Sequence, residues 1–172
     1  MDTDKFILTG ILILVLIVVL ALVVVFSGNN TFESGKISFQ YPAGWSQVSS
    51  VGNFSNTSLY SEVTFASNIA DSNGNMQTSY IIIQMQQKAQ GVINLPSTES
   101  IVGNTTNSSV SSVNVNNFTA TQIGNSGTNM AQKVTIIQQG NFNIVVTFIC
   151  PPYALNQTSE AYNTLLMSLK IS

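Results

Sequence analysis

The stretch "VTIIQQGNFNIVVTFIC", residues 134–150, decides how the chain is to be folded. Gly140-Asn141 separates two runs rich in β-branched and aromatic residues, which is the composition of a hairpin with a two-residue turn. With that turn Ile137 faces Ile144, and Ile136 faces Val145. Side chains alternate across a strand, so Phe142, Ile144, Val146, Phe148 and Cys150 share one face. Val134, Ile136, Val145 and Ile149 share the other, diluted by Gln132, Asn143 and Thr147. A sheet that is apolar on both faces needs cover on both. The hairpin is therefore expected at the centre of an antiparallel sheet flanked by helices, an α+β domain of the α/β/α sandwich kind. Cys150 is expected as a buried, inert thiol.

Further strand signals run outward from this pair, over Lys36–Tyr41, Trp45–Val48, Leu59–Ser67, Thr78–Gln87, Ser109–Val115, Thr119–Ile123 and Met130–Gln139, with Phe142–Cys150 closing the series. Gly, Asn and Ser separate them, and "DSNGN" at 71–75 reads as a hairpin tip. Thr158–Lys170 is the clearest helix of the domain. Tyr162, Leu165, Leu166 and Leu169 form its apolar stripe, Thr158 or Ser159 is its expected cap, Glu160 lies in its first turn, and Lys170 ends it. "LPSTESIVG", 95–103, is a shorter helix candidate stopped by Gly103.

Charge is sparse. The 172 residues hold five Lys, no Arg, no His and seven acidic groups, for a net charge of −2. Lys36, Lys88, Lys133 and Lys170 are far apart in sequence, so no basic patch for nucleic acid is built. Without His there is no Ser-His-Asp or Cys-His relay, and one Cys makes neither a thiolate zinc site nor an intrachain disulfide. Acid–base chemistry would fall to Glu33, Glu62, Asp71, Glu99, Glu160, a lysine or a tyrosine, none in a recognisable catalytic spacing. Glu62 alternates with Val63 and Phe65 and is expected to face solvent. The expectation is a protein without catalytic residues, cofactor or metal.

"FILTGILILVLIVVLALVVVF", residues 6–26, holds 18 Leu, Ile, Val or Phe among 21 residues and no charge. As a helix it would span about 31 Å, against a hydrocarbon core of about 30 Å. A cleaved signal peptide competes with this reading, but its apolar region is shorter and ends in small residues, unlike Val25-Phe26-Ser27. The expected division is a cytoplasmic tip 1–5, a bilayer anchor 6–26, a polar linker 27–31 and an extracytoplasmic domain 32–172. Lys5, the one basic residue before the anchor, favours that orientation. Glycosylation sequons begin at Asn29, Asn53, Asn56, Asn104, Asn107, Asn117 and Asn156.

"FQYPAGW", 39–45, ends a strand at Pro42, turns at Gly44 and returns at Trp45, whose ring is expected as a lid at the mouth of the core. This stretch resembles the aromatic-x-Tyr-Pro-x-Gly-Trp hairpin of PsbP-like proteins, and "SEAYNTLLMSLKI", 159–171, is similar to that family's closing helix and its ending. The resemblance covers residues 32–172 and implies an antiparallel sheet between helices. It implies no activity and carries over no ion-binding residue. Two functions remain from different classes: an accessory module docking on another envelope protein, and a binder of a small apolar ligand or lipid with Phe39, Tyr41 and Trp45 lining the opening. An enzyme using carboxylates is the third and has least support.

If residues 6–26 are an uncleaved anchor, alkaline carbonate extraction leaves the full chain in the membrane pellet. Release of an N-terminally trimmed protein into the medium would identify the run as a signal peptide instead.

Overall fold

The structure, a computed structural model, describes residues 28–88, 108–127 and 129–172. The expected tip, anchor and 95–103 helix, together with Glu99, Asn104 and Asn107, lie outside the described residues. Ten strands and one α-helix follow in chain order: β1 (Asn29–Ser34), β2 (Ile37–Pro42), β3 (Ser46–Val51), β4 (Tyr60–Ala70), β5 (Met76–Gln87), β6 (Ser108–Val115), β7 (Phe118–Ser126), β8 (Ala131–Gln139), β9 (Phe142–Cys150), α1 (Leu155–Ser168) and β10 (Lys170–Ile171).

Seven strands form one antiparallel sheet in the order β3-β4-β5-β9-β8-β7-β6, and three form a second, β1-β2-β10. The β8–β9 hairpin has the register expected of a Gly-Asn turn, Ile137 opposite Ile144 and Ile136 opposite Val145, with Gly140 at φ +53°. Its inner face enters the main core, where Ile144, Val146 and Phe148 meet Val63 and Phe65 of β4, Ile81 and Ile83 of β5, and Tyr162 and Leu165 of α1. Its outer face carries a second buried cluster, Ile123, Val134, Ile136 and Val145. Both faces of the central pair are therefore apolar and buried.

The cover on the inner face differs from the helical layer expected. Among the described residues there is one α-helix, and it shares the inner side with the three-stranded sheet. β2 turns Ile37 and Phe39 inward and β1 contributes Phe32, so strands as well as a helix cover this face. The ring of Phe65 sits at the junction, 5.8 Å from Phe32, 5.6 Å from Phe39 and 4.4 Å from Tyr41. β1 also corrects the linker: from Asn29 onward those residues are strand, paired with β2 from Asn29 opposite Pro42 to Ser34 opposite Ile37.

α1 begins at Leu155, three residues before the position expected. Pro151 leads into a 3₁₀ turn, Pro152–Ala154, that passes directly into the helix, and proline is preorganised for a first turn. Thr158 is thus not a cap. It is buried, and its Oγ1 donates to the Ala154 carbonyl at 2.8 Å, while Ser159 donates to Asn156. Glu160 falls beyond the first turn. Lys170 has left the helix and pairs with Ser38 as the start of β10. Tyr162 is fully buried, its hydroxyl hydrogen-bonded to Thr135, and burial pushes its pKa up to about 12.

The β4–β5 hairpin is closed by Asp71. One carboxylate oxygen accepts the Asn73 and Asn75 amide protons at 2.8 and 2.9 Å, and the other accepts from the Asn75 side chain at 3.1 Å. Gly74 takes the left-handed conformation the turn requires, φ +83°. Donation from Asn75, first by its side chain and then by its backbone, holds the Asp71 carboxyl below the ordinary 3.8.

The turn "PAGW" closes through the Trp45 amide donating to the Pro42 carbonyl at 3.0 Å, and β3 starts at the next residue. Trp45 is 6 % exposed and belongs to the main core. Trp45→Ala should cost about 3–5 kcal/mol, read as a shifted midpoint in urea unfolding followed by circular dichroism. A loss under about 1 kcal/mol would show that the indole packs without contributing. Because the Asp71 pKa is lowered on folding, its hold on the loop is complete above pH 3.8 and is lost as pH falls through the lower folded value. The amide shifts of Asn73 and Asn75 should therefore titrate with a midpoint below 3.8. A midpoint at or above that value would remove the carboxylate from the turn.

Candidate functional site

The structure places Phe39 and Trp45 in the main core and packs Tyr41 against it. Phe39 is 1 % exposed and stacks on Phe32 at 5.0 Å, Trp45 lies in the core, and Tyr41 is half-buried against Phe65. This corrects the expected binding surface. The same alternation that makes β2 a strand points Ile37, Phe39 and Tyr41 inward, and β1 and α1 close over them.

The remaining candidates are dispersed. Asn29, Asn53, Asn56, Asn117 and Asn156 are exposed, although the Asn53 side-chain oxygen accepts bonds from the Ser55 amide and the Ser58 hydroxyl. Glu33 lies on β1, Asp71 in its hairpin tip and Glu160 on the exposed side of α1. Glu62 is on the outer face, as its alternation implied, but it is not free. Tyr60 donates its hydroxyl to the Glu62 carboxylate, and Gln84 Nε2 donates to both, at 2.8 Å to Glu62 and 3.0 Å to Tyr60. Burial, then the Glu62 bond, raises the Tyr60 pKa. Among the described residues no three His, Cys, Asp or Glu side chains approach closely enough to hold a metal. Cys150 is buried, and desolvation pushes its thiol up, away from the reactive thiolate.

What the sequence reading did not find is the surface on the β3 side of the large sheet. Among the described residues β3 is an outer strand bonded to β4 alone, and all six of its residues are exposed. The register slips at Val48, between Gln47 opposite Phe65 and Ser49 opposite Thr64, so Val48 is the extra residue of a β-bulge. Beside it runs an open groove of about 570 Å³. Ser46, Ala66 and Tyr80 form one cross-strand row along it, and Asn68 with Thr78 form the next, joined by a 2.8 Å hydrogen bond from Thr78 to Asn68. Ala66 and Gly44 are small and leave the depth, while Val48, 58 % exposed, and Tyr80, 37 % exposed, contribute apolar area to its lining. No ionised side chain lines it. The signal available in sequence was "SQVSSV" itself, a run without charge or proline directly after a buried tryptophan. Its bulge breaks the period of two, so the expected strand stopped at Val48.

Such a surface can hold a partner by shape, apolar contact and neutral hydrogen bonds. It holds no nucleophile paired with a base.

No family model matches the chain, and no curated protein matches it in sequence. Solved structures do. A Bacteroides thetaiotaomicron protein superposes with a TM-score of 0.53 at 15 % identity over 85 % of this chain, which spans only 49 % of that protein. LpqN of Mycobacterium tuberculosis, involved in cell envelope biogenesis, gives 0.50 at 17 % identity, covering 84 % of this chain and 91 % of LpqN. Cyanobacterial PsbP (CyanoP) of Synechocystis gives 0.51 at 9 % identity, covering 85 % of this chain and 94 % of its own. The Tyr-Pro-x-Gly-Trp turn and the closing helix are thus parts of a PsbP-like fold.

Proposed function

We propose that the chain is a non-catalytic accessory module of the cell envelope, tethered to the bilayer by residues 6–26, whose extracytoplasmic domain docks another envelope protein on the β3 side of its large sheet. One observation carries the docking reading: a fully exposed, uncharged outer strand lies beside an uncharged groove walled by Val48 and Tyr80. Ionised groups that would have to be desolvated on contact are absent there, so apolar burial on binding is not opposed by lost hydration. The fold shared with LpqN, itself involved in cell envelope biogenesis, agrees with an envelope setting. The 6–26 run and the sequons support the membrane tether and the outward orientation. A fold of this kind carries no activity with it. Of the described carboxylates, Asp71 and Glu62 are engaged locally and Glu33 and Glu160 stand on separate elements, which supports an accessory rather than a catalytic role.

The affinity-tagged full chain, extracted from its native membrane in mild detergent, should bring down one partner in stoichiometric amount. Val48→Lys with Tyr80→Ala should weaken that recovery at least tenfold while leaving the circular dichroism spectrum unchanged. Recovery of the chain alone, under crosslinking as well as without it, would reject docking as the function.

A further inference from the structure

Resting on that docking reading, we infer that the partner binds by strand addition: an extended, uncharged segment of the partner protein pairs with the free edge of β3 and continues the large sheet. Backbone N–H and C=O groups must be satisfied, and in an antiparallel pair every second residue of a strand turns its pair of groups away from its neighbour. Among the described residues β3 has a neighbour on one side only. A row of donors and acceptors at strand spacing fits another strand and little else.

Exposed edges are ordinarily defended by lysine, proline or inward charge. β3, Ser46–Val51, has none of these. Its defence is the bulge at Val48, which bends one part of the edge and leaves the ladder regular beyond it, with Ser49 opposite Thr64, Ser50 opposite Val63 and Val51 opposite Glu62. The added strand therefore pairs along Ser49–Val51. Its outward side chains extend two existing rows, Ser49–Thr64–Ile82 and Val51–Glu62–Gln84. The first row suits a small hydroxyl side chain, and Val51, 53 % exposed, calls for an apolar one beside it. The bulge also places Val48 in the groove wall next to Ser46, where a larger apolar side chain of the incoming segment finds room.

Both ends of β3 are fixed, so little order has to be created on binding. Trp45 is buried at one end. At the other, Gly52 stands at φ +72°, where a Cβ would come within 2.5 Å of the Ser61 hydroxyl. The opposite outer strand, β6, is less suited, because the smaller hollow beside it, about 180 Å³, is lined in part by Lys133.

The test uses the ¹⁵N-labelled full chain in detergent micelles and an acetylated, amidated hexapeptide, Thr-Val-Thr-Thr-Thr-Val, whose second, fourth and sixth residues share one face and in antiparallel pairing meet Val51, Ser49 and the groove. Strand addition predicts shifts centred on the Ser46–Val51 amides and at least tenfold slower hydrogen exchange of the outward β3 amides at saturation. The same peptide N-methylated throughout should lose at least tenfold in affinity, because it cannot donate to the ladder. Ser49→Lys with Val51→Lys, both exposed, should do the same without altering the rest of the amide spectrum. Absence of shifts at millimolar peptide, equal binding of the methylated peptide, or shifts centred on β6 would each overturn the inference. If the cell's partner is recovered undiminished with Ser49→Lys and Val51→Lys, strand addition fails while docking stands. If the peptide pairs with β3 but no partner is ever recovered, the docking reading is what fails.

Discussion

Three aromatic rings converge on Phe65, and the two sheets are one body because of it. Phe32 and Phe39 approach edge-on and Tyr41 lies tilted across it, so β1 and β2 are clamped to β4 by rings rather than by hydrogen bonds. Aromatic pairs of this geometry add to the area they bury. β4 in turn is the strand on which β3 is laid. The outer edge that the functional reading depends on is therefore rigid for a reason that lies on the other face of the sheet. A looser ring cluster would loosen the edge.

Much of this was written locally. The β8–β9 register follows from Gly140-Asn141 and from the β-branched runs on either side, all within 17 residues. The Asp71 turn and the Tyr162–Leu169 stripe are equally local. The failures share a cause. β1, "NNTFES", has a single apolar residue, and its strand character comes from pairing with β2 and from Phe32 reaching Phe39. Pro151-Pro152 looks like an end and is a beginning, because the helix they start is fixed by the core beneath Ala154. Phe39, Tyr41 and Trp45 sit beside a turn, where rings are often accessible. What buries them arrives from far along the chain, as the Gln40 amide bonded to the Ser168 hydroxyl across 128 positions shows. That β3 is an outer strand is a property of strand order, which no six-residue window contains.

With so little charge in the chain, several of the ionised groups have a defined local role. Asp71 is consumed in holding a turn, Glu62 in binding Tyr60 and Gln84, and the Lys36 ammonium in meeting the Ser172 carbonyl. The β3 strand and its groove are neutral, rich in hydroxyls and amides, and shaped by the bulge at Val48. Recognition by such a surface is governed by backbone geometry and fit rather than by long-range attraction, so association should be only weakly sensitive to salt.

β2 lies between β1, its predecessor, and β10, which follows it by more than 120 positions. The hairpin β1–β2 can form as soon as it is made, with Phe32 stacked on Phe39, and gains Phe65 when β4 follows, yet its cover is complete only when α1 and β10 exist. Every strand of the larger sheet must be synthesised before the smaller one acquires its third member. This is a topology of high contact order, slow to close and exposed while open. A growing chain of this kind carries an incompletely covered aromatic hairpin until its last residues are made, which makes chaperone holding, rather than early folding, the natural companion of its biogenesis.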